Sequence, residues 1–179
     1  MKKTAIFLLI CLLCGLLGGC GSKPMEQTSE PDYSALIVPP VDLTITDCIS
    51  EQQLTTILGY PMSLLGVGEE GAQAVYQTED GTCVVTVHML NQTRAGFDAV
   101  IGASTATTVL QEGLGESAYW FVSDEMVDQN SGGYAQLMVY SGGYAVDVAL
   151  ACADIPEANI NAYVLQIAET ILSRLPQGE

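Results

Sequence analysis

Basic residues are scarce in this sequence. Its 179 residues include five lysines and arginines against 21 aspartates and glutamates, so the formal net charge is −16. Nucleic acids and anionic lipid headgroups bind proteins through clusters of Lys and Arg. The composition therefore predicts no nucleic-acid partner. We interpret most of the acidic residues as surface charge that keeps the domain soluble.

Histidine is rarer still, because His88 is the only one. A Ser-His-Asp or Cys-His site would need it as the general base, yet no G-x-S-x-G motif accompanies it. An H-E-x-x-H zinc motif needs two histidines. Lys23 is the only lysine after the first three residues, which leaves little scope for lysine chemistry. The sequence thus predicts no enzyme, no catalytic residue, no cofactor and no metal ligand.

No hydrophobic run reaches the length of about 20 residues that spans a bilayer. The longest run, at residues 4–17, follows two lysines and leads into Leu17-Gly18-Gly19-Cys20. A basic start, a short apolar stretch and small residues are typical of a secretory signal peptide. The ending resembles the lipobox of bacterial lipoproteins, in which the cysteine is diacylated and becomes the first mature residue. We expect a signal peptide at residues 1–19 and a lipid anchor on Cys20 that holds the protein at the extracytoplasmic face of the cell membrane.

The cysteines divide between this leader and the rest of the chain. Cys11 and Cys14 form a C-x-x-C motif inside the signal peptide, so no redox motif survives its removal. The cysteines left after lipidation of Cys20 are Cys48, Cys83 and Cys152. One disulfide and one free thiol are expected in an oxidising compartment. Sequence positions alone allow three pairings.

The segment at residues 20–42 lacks any helical or strand period and contains four prolines. This composition predicts a flexible tether between the lipidated cysteine and the domain. Residues 43–179 have a suitable length for one compact domain.

Three helices are indicated by their ends and by apolar spacing. Ser50 and Gln53 fit a capping box, and Gly59 is a stop signal. A second helix is predicted to begin near Thr93. Pro156 begins the last helix, in which apolar residues recur at helical spacing as far as Leu175.

Two hairpins lie between these helices. Asp80-Gly81 and Gly142-Gly143 are favoured two-residue turns, and alternating apolar residues flank both. The turns predict the cross-strand pairs Tyr76–Val85, Ala74–Val87, Val139–Val146, Leu137–Val148 and Ala135–Leu150. A further strand is predicted near residues 118–122. Because each hairpin precedes a helix, the pattern suggests a hairpin–helix repeat. The predicted fold class is α+β, an antiparallel β-sheet built from hairpins with helices packed on one face.

Several short motifs occur in a recognisable order. They are Asp47-Cys48, a helix ending in Leu58-Gly59, Cys83, the Gly113–Ala118 stretch GLGESA and a terminal helix ending at Leu175. In this order the chain resembles the small α+β lipoprotein domains of unknown function found on Gram-positive bacteria. The resemblance implies a fold, a location and a Cys48–Cys83 disulfide. It implies no particular chemistry.

The loop at residues 124–130 is acidic. Its Asp124, Glu125, Asp128 and Asn130 offer the oxygen ligands that calcium prefers, but their spacing does not match an EF-hand. We interpret the segment as a flexible acidic hairpin loop, with calcium binding as the alternative.

The outer face of the predicted sheet carries the candidate binding residues. Strand alternation places Tyr134, Gln136, Met138, Tyr140 and Asp147 on this face. The candidate binding residues are Tyr134, Met138, Tyr140 and Asp147, with His88 beside them if both hairpins join one sheet. Tyrosines offer a large contact area with few rotors to freeze, and such faces often bind partners. The predicted function is a binding or sensing module for an envelope protein, peptide or glycan. The alternatives are a structural or accessory subunit of an envelope complex and, less favoured, a metal-dependent hydrolase.

Overall fold

The computed structural model describes residues 43–122 and 133–176. The elements in chain order are α1 (Ile45–Cys48), α2 (Glu51–Leu58), β1 (Ser63–Val67), β2 (Gln73–Gln77), β3 (Cys83–Asn91), α3 (Arg94–Ala103), β4 (Thr107–Leu110), β5 (Ser117–Val122), β6 (Gly133–Ser141), β7 (Tyr144–Cys152) and α4 (Glu157–Leu172). A short 3-10 turn, Glu69–Gly71, joins β1 to β2.

The strands form one seven-stranded sheet in the order β1-β2-β3-β7-β6-β5-β4, and every pair is antiparallel. The two predicted hairpin registers are confirmed, with Tyr76 opposite Val85 and Val139 opposite Val146. Gly142 and Gly143 have φ of 58° and 85°, the left-handed values that a tight hairpin turn requires. Strands β1 and β4, which lie at the two edges, were not predicted, because neither alternates clearly between apolar and polar residues.

Helices α1, α2 and α4 cover one face of the sheet, which we call the core face. Its buried side chains include Val85, Leu137 and Val148 from the central strands, and Ile160 and Ile167 from α4. The Tyr76 hydroxyl donates a 2.8 Å hydrogen bond to the carbonyl of Ile49, which joins the α1–α2 connection to the sheet. Burial, with smaller contributions from nearby acidic groups, raises the pKa of Tyr76 to about 12. The α+β fold with an antiparallel sheet is therefore confirmed.

Helix α3 packs against the opposite face, at the end near the β6–β7 turn. Phe97 of α3 is fully buried against Tyr140 and Ala145, with 5.4 Å between the Phe97 and Tyr140 ring centroids. The Arg94 guanidinium lies 5.7 Å from the centre of the Tyr140 ring. The strand part of the predicted hairpin–helix repeat is present, but the two following helices, α3 and α4, pack on opposite faces.

The predicted Cys48–Cys83 disulfide is wrong, because Cys83 is bonded to Cys152. These two cysteines lie directly opposite each other on the neighbouring strands β3 and β7. Cys48 is a buried free thiol in α1. Burial, with a smaller contribution from the Asp47 carboxylate, raises the pKa of Cys48 to about 11. The error arose because the sequence does not reveal that β3 and β7 are neighbours.

Gly115 offers a test of how tightly the loop before β5 packs. Its φ is +57°, and an added Cβ would lie 2.7 Å from the Tyr140 carbonyl oxygen and 2.8 Å from a Val139 methyl group. We expect Gly115→Ala to lower the free energy of unfolding by about 2–4 kcal/mol, from left-handed backbone strain plus overpacking. Gly113→Ala is the matched control, because Gly113 has φ +77° with nothing within 4 Å of its Cβ position. If Gly115→Ala and Gly113→Ala lower the free energy of unfolding in urea by the same amount, close packing at Gly115 contributes nothing to stability.

Candidate functional site

Away from α3, the second face of the sheet is not covered by any other helix of the described residues. We call it the open face and define it by Thr86 and His88 of β3, Asp147 and Ala149 of β7, and Tyr134 and Gln136 of β6. Strand alternation directs these residues away from the core face, and cross-strand pairing makes them neighbours. All six are partly buried rather than fully exposed.

A chain of hydrogen bonds crosses two strands of the open face. The Gln136 side-chain amide donates to both carboxylate oxygens of Asp147, at 3.0 Å each. The Tyr134 hydroxyl donates to the Gln136 side-chain oxygen at 3.1 Å. Because each side chain donates a hydrogen bond to the next one, these bonds hold the Asp147 carboxylate in a fixed orientation. We call Tyr134, Gln136 and Asp147 the polar strip.

Asp147 is the electrostatic centre of this strip. Burial raises its pKa above the ordinary aspartate value, while the Gln136 hydrogen bonds and the charge of His88 act in the opposite direction. His88 lies directly opposite Asp147 in the β3–β7 register. Burial, and secondly the Asp147 charge, also raise the pKa of Tyr134.

The structure brings together most of the residues predicted for the binding face. Tyr134, Asp147 and His88 lie on the open face as predicted. Met138 lies on the same face but packs against the Phe97 and Tyr140 cluster. The prediction for Tyr140 is wrong in one respect: its position is on this side of the sheet, but α3 covers it and leaves its side chain only 7% exposed. In this position Tyr140 offers a partner very little contact area.

Gln136 is the site residue that the sequence-based list omitted. Alternation along β6 places it between Tyr134 and Met138 on the same face, and this was the available signal. The predicted β6–β7 register also placed Gln136 opposite Ala149 and diagonal to Asp147, so the signal for their contact was present in the sequence.

The raised pKa of Asp147 predicts a pH-dependent effect of Asp147→Asn. A carboxyl group whose pKa is raised in the folded state binds protons more readily there, so its contribution to stability falls as the pH rises. We expect Asp147→Asn to be more stable than the wild type at pH 7. The gain should shrink as the pH falls through the raised pKa and vanish below the ordinary value of 3.8.

Chemical unfolding at a series of pH values measures this gain. Asp154→Asn, at an exposed turn, is the control and should leave the profile parallel to that of the wild type. A less stable Asp147→Asn variant at neutral pH would contradict the expected penalty of burial.

Other predicted features fall on different parts of the chain. Among residues 43–122 and 133–176, no group of three or more His, Cys, Asp or Glu side chains is arranged to hold a metal ion. The acidic loop at 124–130, considered for calcium, lies outside the described residues, as do Cys20, the signal peptide and the tether. None of the helices described is both long and apolar enough to cross a bilayer.

The chain matches no protein-family model, no curated protein and no solved structure.

Proposed function

We propose that this protein is a lipid-anchored extracytoplasmic binding module that recognises an envelope protein, peptide or glycan through the open face. The observation that carries the proposal is the polar strip on the part of the sheet that the described helices leave uncovered. Its three side chains are already hydrogen-bonded in one geometry, so little ordering would remain for a partner to impose.

The side chains of this face suit recognition rather than catalysis. Tyr134 presents an aromatic ring and a hydroxyl group, and Gln136 and Asp147 present polar groups with spare hydrogen-bonding capacity. Ala149 is small, which leaves the middle of the face accessible to a partner. The face thus combines aromatic contact area with a few fixed polar groups, as protein-binding surfaces do.

Site-specific photocrosslinking in the native envelope tests this proposal. Phe121 lies opposite Gln136 on β5 and is partly buried on the open side, so a photoreactive phenylalanine analogue there would report on a bound partner. The same analogue at Ala162, an exposed position on α4, is the control. We expect a discrete adduct from position 121 only. No adduct at 121, or the same adducts at both positions, would overturn the open face as the binding surface.

The anchor is tested separately at Cys20. We expect Cys20→Ser to move the protein from the membrane fraction to the soluble fraction and to abolish incorporation of labelled fatty acid. A variant that remains acylated and membrane-bound would show that another residue carries the lipid.

An accessory role in an envelope complex is the second candidate function, and the edge strands favour it. β1 and β4 contain no charged residue, and Leu65 and Leu110 at these edges are 62% and 56% exposed. Uncharged apolar edge strands offer backbone groups for pairing with another chain. The β4 edge is the better candidate, because in β1 the Leu64 N–H already donates to the Glu51 carboxylate and a register shift interrupts the strand between Leu64 and Gly66. If the protein is an accessory subunit, Leu65→Lys or Leu110→Lys should shift its complex to smaller size on native gels. An unchanged complex in both variants would remove the support for this role.

A further inference from the structure

We propose that the open face recognises the cationic side chain of a lysine or arginine in an extended segment of a partner protein, with Asp147 as the acceptor. This inference rests on the proposed binding function and specifies the chemistry of the partner.

The geometry of Asp147 is that of a prepared acceptor. The Gln136 amide contacts both carboxylate oxygens at 3.0 Å and so fixes the plane of the carboxylate. Each oxygen retains capacity for a further hydrogen bond, because a carboxylate offers about four acceptor positions and the amide uses two. A guanidinium or ammonium group could therefore bind without displacing Gln136.

The two arginines among the described residues lie away from Asp147. Arg94 forms a 2.9 Å ion pair with Asp98 and lies against Tyr140. Arg174 follows α4, in the layer that covers the core face, and its charge acts on Cys48. No lysine or arginine of residues 43–122 and 133–176 is thus paired with Asp147. His88, which lies opposite Asp147, offsets part of the cost of burying this carboxylate, and a lysine or arginine supplied by a partner would offset more of it.

The surroundings of Asp147 favour an extended basic segment. Ala149 and Ala151 follow Asp147 on the same side of β7 and form a row of small side chains. The larger Tyr134 and Gln136 lie beside this row on β6, and Thr86 lies beside it on β3. The Tyr134 ring offers a cation–π contact. The net charge of −16 adds long-range attraction for a basic partner and repulsion between two copies of this chain.

Binding of a simple probe to the full lipid-anchored chain tests the inference. The probe is a short fluorescent peptide in which lysine and threonine alternate. The control probe is the same peptide with acetylated lysines. We expect the lysine peptide to bind and acetylation to weaken binding at least about tenfold, because the charged contact is lost. Asp147→Asn should cause a loss of similar size.

Glu169→Gln is the matched control for Asp147→Asn. It removes one negative charge from an exposed position on α4, in the helix layer on the other side of the sheet. We expect it to leave peptide affinity unchanged. Thermal unfolding distinguishes loss of binding from loss of folding, because Asp147→Asn is expected to be the more stable protein at neutral pH.

The outcomes separate this inference from the binding function itself. Equal losses in the two variants, or equal affinity for acetylated and free lysine, would overturn the role of Asp147. Capture of wall-glycan fragments instead of the peptide, or self-association that Asp147→Asn abolishes, would also overturn it. If the protein with an otherwise unchanged sequence still forms the crosslink from position 121 in these cases, the proposed function stands without its cationic partner. Absence of that crosslink from the otherwise unchanged protein overturns both.

Discussion

Removal of the Cys83–Cys152 disulfide is expected to lower the free energy of unfolding by about 4 kcal/mol. The bridge joins cysteines 69 residues apart in sequence, so it restricts a large loop of the unfolded chain. In the chain-entropy description a loop of this length corresponds to roughly 4 kcal/mol at 25 °C. That is a large share of the stability of a typical domain, about 5–15 kcal/mol. The Cys83→Ala/Cys152→Ala double variant, unfolded in urea, measures the loss.

The third cysteine provides the control for this experiment. Cys48→Ala removes the buried free thiol, so that protein should still lose stability when it is reduced. The double variant should be insensitive to reductant. If Cys48→Ala instead abolished sensitivity to reductant, the disulfide would involve Cys48 and the pairing with Cys152 would be incorrect.

Phe97→Ala is expected to have an effect of similar size, about 3–5 kcal/mol, for a different reason. Phe97 is fully buried and contributes the central ring of the small cluster beneath α3. Its ring centroid lies 5.4 Å from that of Tyr140 and 6.3 Å from that of Tyr119. Deleting it leaves a cavity as well as removing apolar contact, which is the costly combination in core substitutions. Urea unfolding gives the total loss.

Val100→Ala is the matched substitution on the same helix. Val100 is 46% exposed, so we expect a change of about 0.5 kcal/mol or less. Hydrogen exchange locates the effect of Phe97→Ala, because the backbone amides of α3 should lose protection before those of β3 and β7. Full protection of α3 in Phe97→Ala would show that the helix does not depend on this side chain.

Local sequence signals were sufficient for α2, α3, α4 and the two hairpin registers, whereas the short helix α1 was not predicted. Ser50 accepts a hydrogen bond from the backbone of Gln53, and Thr93 caps α3. The β6–β7 register followed from Gly142-Gly143, because a two-residue turn and a strand period of two leave one pairing that buries the apolar residues. The β2–β3 register is also as predicted, but its turn is not the two-residue Asp80-Gly81 turn: the Gly81 N–H donates to the Thr78 carbonyl within a four-residue connection. These interactions lie within short stretches of chain, and for this reason the sequence reveals them.

The candidate site could be predicted only in part. Alternation placed Tyr134, Asp147 and His88 on one side of their strands, and the sheet then made them neighbours through the pairing of β3 with β7. The same alternation could not show that α3 covers Tyr140. The apolar side of an amphipathic helix indicates which helix residues are buried, but not which face of the sheet the helix packs against. The predicted β6–β7 register made Gln136 and Asp147 diagonal neighbours, but only the structure shows the hydrogen bonds between their side chains.

The sequence by itself thus determined the scarcity of cations, the local elements and the hairpin registers. These depend on composition or on residues close together in the chain. Only the tertiary structure decided the order of the strands, and with it the disulfide partner of Cys83, the burial of Tyr140 and the position of His88 beside Asp147. Each of these depends on contacts between segments far apart in sequence, where many arrangements bury similar apolar area and packing selects among them.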